Sequence, residues 1–252
     1  MKNDKKIIET SKINNIRDLG GNRTNNNQFI KNNLFIRCAV PKNLGKNDKD
    51  ILIDLDPGAI IDFRGIEEAK KNPPDLTKKL EKKRVHLPIE PEVWDTLNKL
   101  NSFNNLNEES FQETLKEAYR KYTKDHLDVY KEFFRILFKL VGKPVIFHCT
   151  AGKDRTGFAG ALILLMLNVG QEDVFSDYLM SNKKFKPPAN IKKEVSLIGA
   201  NRLVKVDKEW LDAGLKQFSD QVGKLHDFGS SLIGSNENME KYIKACLNKM
   251  RQ

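Results

Sequence analysis

Cysteine is scarce in this sequence, with Cys38, Cys149 and Cys246 the three in a chain of 252 residues. They stand far apart and are odd in number, which excludes a disulfide framework, and no C-x-x-C pair offers the spacing of a zinc site. A reducing compartment is expected. Long apolar runs are missing too. The longest, Phe158 to Leu167, has ten residues, about half of what a membrane-spanning helix requires, and reads as a buried core helix. The first ten residues lack the apolar stretch of a signal peptide. A cytoplasmic protein is therefore expected, with signal-independent secretion left open. No internal repeat is visible.

Positive charge is in excess. Lysine and arginine outnumber aspartate and glutamate 44 to 34, giving a net charge of +10. That balance suits anionic partners such as a phosphorylated substrate, an anionic membrane surface or nucleic acid, and equally a merely solvated lysine-rich surface. No aromatic-plus-basic motif supports nucleic acid as a specific ligand.

Short strands and helices alternate from residue 34 onward. Leu34 to Arg37, Ala59 to Phe63, Arg84 to Ile89 and Val145 to Cys149 read as strands. Helices are expected at Asn47 to Leu55, Glu67 to Lys71, Arg155 to Asn168, Glu172 to Met180 and from Asp207, a good N-cap, to Phe218. The last helix carries Met239, Tyr242, Cys246 and Leu247 on one face. Phe111, Leu115, Ala118, Tyr119 and Tyr122 also share a helical face, as do Tyr130, Phe133, Phe134, Leu137 and Phe138. The lysine-rich run from Lys78 to Arg84 reads as a solvated face. These elements predict one α/β domain over 1–252, a central mainly parallel sheet flanked by helices, with a helical insertion near 92–125.

The informative segment is His148-Cys-Thr-Ala-Gly-Lys-Asp-Arg-Thr-Gly157. It lies where a buried strand ends and an apolar helix begins, the place where open α/β sheets bind ligands and where helix N-terminal amides receive anions. Five residues separate Cys149 from Arg155. A loop of that size curls around a tetrahedral phosphate, its amides from Thr150, Ala151, Gly152, Lys153 and Gly157 turned inward and the Arg155 guanidinium on two oxygens. The same positive field favours the Cys149 thiolate, so nucleophile and anion site arise together. A nucleotide-binding loop is excluded, because Asp154 follows Lys153 and the upstream glycine is absent. His148 and Cys149 point to opposite sides of a strand and make no metal site. Neither metal nor organic cofactor is called for.

The string His148-Cys-x5-Arg155-Thr156 resembles the signature of the cysteine-dependent protein-tyrosine phosphatase superfamily. In full, it is similar to the loop of the atypical bacterial tyrosine/dual-specificity branch, with its lipid-phosphatase-like Lys and Asp. Asn15 to Gly21 resembles that branch's N-F-R-D-L-G-G, Leu34 to Ala39 its R-S-[AG], and Ile61 to Glu67 its D-L-R-S-x-x-E. Tyr178 to Asn182 and Phe228 to Ile243 also fit. Cys38 and Gly65 stand where serines are expected.

The resemblance implies a protein-tyrosine phosphatase-like fold and a helical lid at 92–125. It also implies a phosphorylated protein or phosphoinositide as substrate, and by analogy with secreted members a bacterial effector. Cys149 is then the nucleophile and Arg155 the phosphate clamp. Thr156 either donates to the departing sulfur or is a first-turn helix residue. His148 orients the loop, and Arg17, Asp18, Asp62 and Arg64 brace it. The proton donor is Asp154 by resemblance to the branch, or Asp95, after the strand end at Glu90, by resemblance to the wider superfamily. Lys153 suits ligands with several phosphates, or else strengthens the field around one.

Overall fold

The computed structural model describes residues 8, 11–91, 107–187 and 204–248. Its first half runs β1 (Arg17–Asp18), β2 (Phe29–Ile30), β3 (Phe35–Ala39), α1 (Lys46–Asp54), β4 (Ala59–Asp62), α2 (Ile66–Lys71), α3 (Lys78–Glu81) and β5 (Arg84–His86). Then come α4 (Glu108–Lys124), α5 (Leu127–Lys139), β6 (Val145–Cys149), α6 (Arg155–Met166), α7 (Gln171–Leu179) and α8 (Ser181–Lys184). The last elements are α9 (Lys208–Val222), α10 (Leu225–Ile233), α11 (Asn236–Cys246) and β7 (Leu247–Asn248).

The main sheet has the order β1-β3-β6-β4-β5, and β2 pairs with β7 in a small second sheet. All neighbours in the main sheet are parallel except edge strand β1, which is antiparallel to β3. This is the α/β architecture expected from the sequence. Strand β5 stops at His86, short of the predicted Ile89, although Leu87 N and Ile89 N still donate to Asp62 O and Phe63 O of the neighbouring chain segment. The run from Lys78 is only partly solvated: Thr77 caps α3 and tucks Leu80 into the core.

Alternation along β6 sends Ile146 to one face and Val145, Phe147 and Cys149 to the other. Ile146 packs with Ile36, Ile60, Leu52 and Leu80. The Phe147 face carries the larger core, where Phe133 stands 5.7 Å from Phe147 and 5.1 Å from Phe63, ring centre to ring centre. Helix α6 is buried on all sides except at Leu165, as a helix apolar all round must be. It starts directly after the loop that begins at Cys149, so the sheet and this helix fix the two ends of that loop. Among the described residues, no helix is long and apolar enough to cross a membrane.

Residues 92–106 of the expected lid lie outside the described residues. The remainder forms α4, whose inner face of Phe111, Leu115, Ala118, Tyr119 and Tyr122 is fully buried. It packs on α9: Trp210 Nε1 donates to Gln112 Oε1 at 2.5 Å and Lys116 pairs with Glu209. A Cβ on Gly214 would stand 3.0 Å from Phe158 and 3.1 Å from the Tyr119 carbonyl, so the two helices approach closely there and a larger residue would have to push a neighbour aside. Helix α4 is thus a wall of the core. Leu115→Ala should cost about 2–5 kcal/mol in urea unfolding, the range for a core leucine; a loss below about 0.5 kcal/mol would mark α4 as a detachable cover.

Candidate active site

Strand β6 delivers Cys149 at its C-terminal end, level with Ala39 of β3. The loop then passes so close to β3 that a Cβ on Gly152 would lie 2.3 Å from the Cys38 carbonyl group, and Gly152 itself has φ +66°. Only glycine meets both conditions. Gly157, at the first turn of α6, faces the Tyr178 ring, which a Cβ would approach to 2.8 Å.

The carbonyls of Thr150 to Lys153 are engaged from outside the loop, and that of Asp154 by the helix that follows. Val40 N donates to Thr150 O at 3.2 Å. Asn15 Nδ2 donates to Ala151 O at 3.1 Å and Gly152 O at 2.9 Å. Arg37 Nη2 donates to Gly152 O at 3.0 Å and reaches Lys153 O at 3.5 Å. Phe158 N closes on Asp154 O at 2.8 Å, opening the helix. In a planar trans peptide the N–H points opposite to the C=O. The amides that follow these carbonyls therefore face the other side, where with the N-terminus of α6 they line a bowl of the polarity that suits an anion.

Arg37 is fully buried and is held by Asp177, which also holds Arg17: Arg37 Nη1 to Oδ2 is 2.7 Å and Arg17 Nε to Oδ1 is 2.9 Å. Arg17 also donates to Asn15 Oδ1 at 2.6 Å and to Ser181 Oγ. Burial opposes the charge on Asp177, but the two guanidiniums hold its carboxyl below the ordinary range. Burial and the neighbouring Arg17 lower Arg37 to about 10, so it stays charged at neutral pH.

Arg155 divides its donors. Nη1 donates to Ile89 O at 2.9 Å and to Glu68 Oε2 at 2.7 Å, and Nη2 to Glu68 Oε1 at 3.0 Å. Glu68 thus grips the outer edge of the guanidinium, and it also accepts from Thr150 Oγ1. The Nε–H and the second Nη2 proton, which form the other edge, have no partner among the described residues. That edge is the fork that fits two oxygens of a phosphate. Burial opposes the charge on Arg155, yet Cys149 and Glu68 raise it above the ordinary guanidinium value.

Asp154 stands at the N-cap of α6 but does not cap it. Its Oδ1 accepts from Tyr119 Oη of α4 at 2.7 Å, and the Lys153 ammonium lies 2.9 Å from Oδ2. Tyr119 Oη is in turn 2.5 Å from Tyr178 Oη. Lys153 also donates to Lys205 O and is itself buried; its charge is directed at Asp154. Thr156 is fully buried and its Oγ1 has no partner among the described residues. Burial depresses His148 to about 4, so it is a neutral ring, its Nδ1 3.3 Å from Cys149 O.

The bracing residues separate into two groups. Arg17 belongs to the frame behind the loop. Asp62 and Arg64 form a different cluster with Arg84 that locks β4 to β5 and approaches the loop only through His148, 3.8 Å from Asp62. Asp18 faces away, accepting from the Gly20 and Asn33 amides of a turn. Asp95 lies outside the described residues. The sequence reading did not single out Asn15, Arg37, Asp177, Glu68 or Tyr119. Asn15 and Arg37 sit inside motifs already quoted, and Asp177 immediately precedes a third. Glu68 is the true glutamate of D-L-R-S-x-x-E, one residue past the Glu67 at which the match was ended. Tyr119 carried no signal beyond a buried helical face.

Two outcomes follow. Asp177→Ala leaves two buried guanidiniums without their shared partner and should cost about 3–5 kcal/mol in chemical unfolding. The folded-state value of His148 lies below that of the unfolded chain, so its contribution is complete above pH 6.5 and is lost as pH falls toward about 4. Urea unfolding should show about 2 kcal/mol less stability at pH 5 than at pH 7.5 from this group alone. His148→Asn should flatten that slope; an unchanged slope would contradict the neutral ring.

A model of the tyrosine phosphatase family matches residues 8–249. The chain is 30% identical over 178 residues to a Cupriavidus necator protein named as a tyrosine-protein phosphatase, covering 68% of this chain and 62% of that one. It is also 30% identical over 149 residues to a tyrosine-protein phosphatase of Nostoc commune, covering 58% and 48%. A shorter match, 51% over 41 residues, joins it to the triple specificity protein phosphatase of Mycobacterium tuberculosis, over 16% of this chain and 15% of that one. The chain therefore matches less than two thirds of the length of each of these relatives. With the family model extending over nearly all of its residues, this protein belongs to the tyrosine phosphatase family.

Proposed function

We propose that this protein hydrolyses phosphate monoesters of protein tyrosine through a cysteinyl-phosphate intermediate on Cys149. The observation that carries this reading is the loop itself: four carbonyls engaged from outside, and one edge of Arg155 left to a ligand beside a cysteine at the strand end. In the first step the Cys149 thiolate attacks phosphorus, the ester P–O bond breaks, and Asp154 gives its proton to the departing phenolate. In the second, Asp154 takes a proton from water as the oxygen bonds to phosphorus. The S–P bond then breaks, and Thr156 Oγ donates to the returning thiolate. The inward amides and Arg155 stabilise the equatorial charge in both steps.

Asp154 is favoured over Asp95 as the acid because it lies inside the loop and is oriented by Tyr119. An aryl ester is favoured because Cys149 exposes only 2% of its surface, so the phosphate must be presented on a slender arm. Buried Tyr122 and Tyr130 lie close enough to Arg155 and Cys149 to sense their charge. Lys153, whose ammonium is directed at Asp154 and Lys205 O, gives no support to a multiply phosphorylated lipid.

A panel of phosphotyrosine peptide, phosphothreonine peptide and phosphoinositide tests the reading. The tyrosine ester should turn over fastest, and Cys149→Ser should lower kcat by about 10⁴-fold or more. No turnover of any member would overturn the assignment, and turnover confined to the inositol lipid would overturn the substrate class.

Asp154→Asn should cost about 10²-fold on the peptide and far less on 2,4-dinitrophenyl phosphate, whose leaving group needs no proton. A loss independent of the leaving group would point to Asp95, and Asp95→Asn would then show the dependence. Tyr119→Phe removes a donor that orients the Asp154 carboxyl and should lower kcat more on the peptide than on 2,4-dinitrophenyl phosphate; equal losses on the two substrates would separate Tyr119 from the acid.

A further inference from the structure

On the carbonyl side of the loop lies a cavity of about 960 Å³. Asn15, Arg17 and Asp177, the frame of the loop, form part of its wall, and Lys12, Lys183, Lys184 and Lys186 surround it. These four lysines are exposed and make no ion pair among the described residues. The carboxylates of the wall offset them only in part. Asp177 is shared by Arg17 and Arg37, which leaves Asp18 and Asp173 against four lysines.

The lysine segment is also held in place. Asn14 and Lys186 exchange two hydrogen bonds, Nδ2 to O at 2.7 Å and N to Oδ1 at 2.9 Å. Asn182 and Val206 exchange another two, at 2.9 and 2.7 Å. The chain on both sides of Lys183 and Lys184 is thus pinned with three like charges in four residues. Their mutual repulsion is relieved by an anion in the cavity, and the pinned backbone reduces the ordering that binding would otherwise require. Arg17 has no donor left over, since all its nitrogens are engaged by Asn15, Asp177 and Ser181; the lysines are the groups that remain for a ligand.

We propose that this cavity is a second anion site, distinct from the bowl over Cys149, which takes a phosphate-bearing ligand on Lys183, Lys184, Lys186 and Lys12. A soluble organic phosphate and a phosphorylated lipid headgroup share the required chemistry. The site does not depend on turnover, so its test stands apart from the phosphatase reading.

Isothermal titration of the full chain with myo-inositol hexakisphosphate, in the presence of excess vanadate to fill the bowl, should show one binding event. Lys183→Glu/Lys184→Glu should weaken it at least tenfold. Lys78→Glu/Lys79→Glu, which changes the net charge equally on an exposed helix elsewhere, should weaken it less than threefold. Flotation with phosphatidylcholine vesicles, with and without phosphatidylinositol phosphate, then separates a lipid source from a soluble one. Displacement of the inositol phosphate by vanadate, or equal losses in the two charge-reversal variants, would overturn the site.

Discussion

The orientation of the peptide groups between Thr150 and Arg155 is the constraint on which the rest of the site depends. Left alone, a short loop with a glycine at its centre has many conformations, and ordering it costs on the order of 1–2 kcal/mol per residue. Here Val40, Asn15 and Arg37 engage the carbonyls from the sheet side and leave the amides no direction but inward. The price is a buried cluster of Arg37, Asp177 and Arg17, which an apolar core of the same volume would match or exceed in stability. Its value lies in conformational definition. Few groups other than a buried guanidinium pair sharing a carboxylate reach two successive carbonyls and the next helix at once.

The same economy of donors appears at Arg155. One edge is fixed by Glu68 and by the Ile89 carbonyl, so the other edge is aimed before any ligand arrives. Such preorganisation is what electrostatic stabilisation of a transition state requires, because dipoles already in place need no reorganisation at the moment of reaction. Asp154 is aimed similarly by Tyr119, and Tyr119 is positioned by α4 packed against α9. Helix α4 is therefore joined to the loop by a hydrogen bond carried on its buried face.

The central strand, the apolar helix after it and the Cys-to-Arg loop were legible in the sequence because each depends on local pattern: an apolar run, a glycine, a fixed spacing. Residues that act across long separations were not. Asp177 meets Arg17 and Arg37 from more than a hundred positions away, and nothing near it in the sequence marks it as their partner. Asp18 looked like a companion of Arg17, yet the alternation of a strand sends adjacent side chains in opposite directions, and it turned to a loop instead. Lys153 sits in the middle of the loop, and its contacts with a neighbouring carboxylate and a carbonyl from residue 205 carry no mark in the spacing of the motif. The helix at 108–124 was legible as amphipathic, but what its apolar face meets is a property of the tertiary structure alone.

A crystal structure of the protein with vanadate or tungstate tests the outward-carbonyl frame most directly. The account predicts an oxyanion over Cys149 Sγ, contacted by the amides of the loop and by Nε and Nη2 of Arg155, with Glu68 still on the opposite edge and Asn15 and Arg37 still on the carbonyls. An oxyanion that binds only after displacing Glu68, or a loop that turns its carbonyls toward the metal oxide, would contradict it.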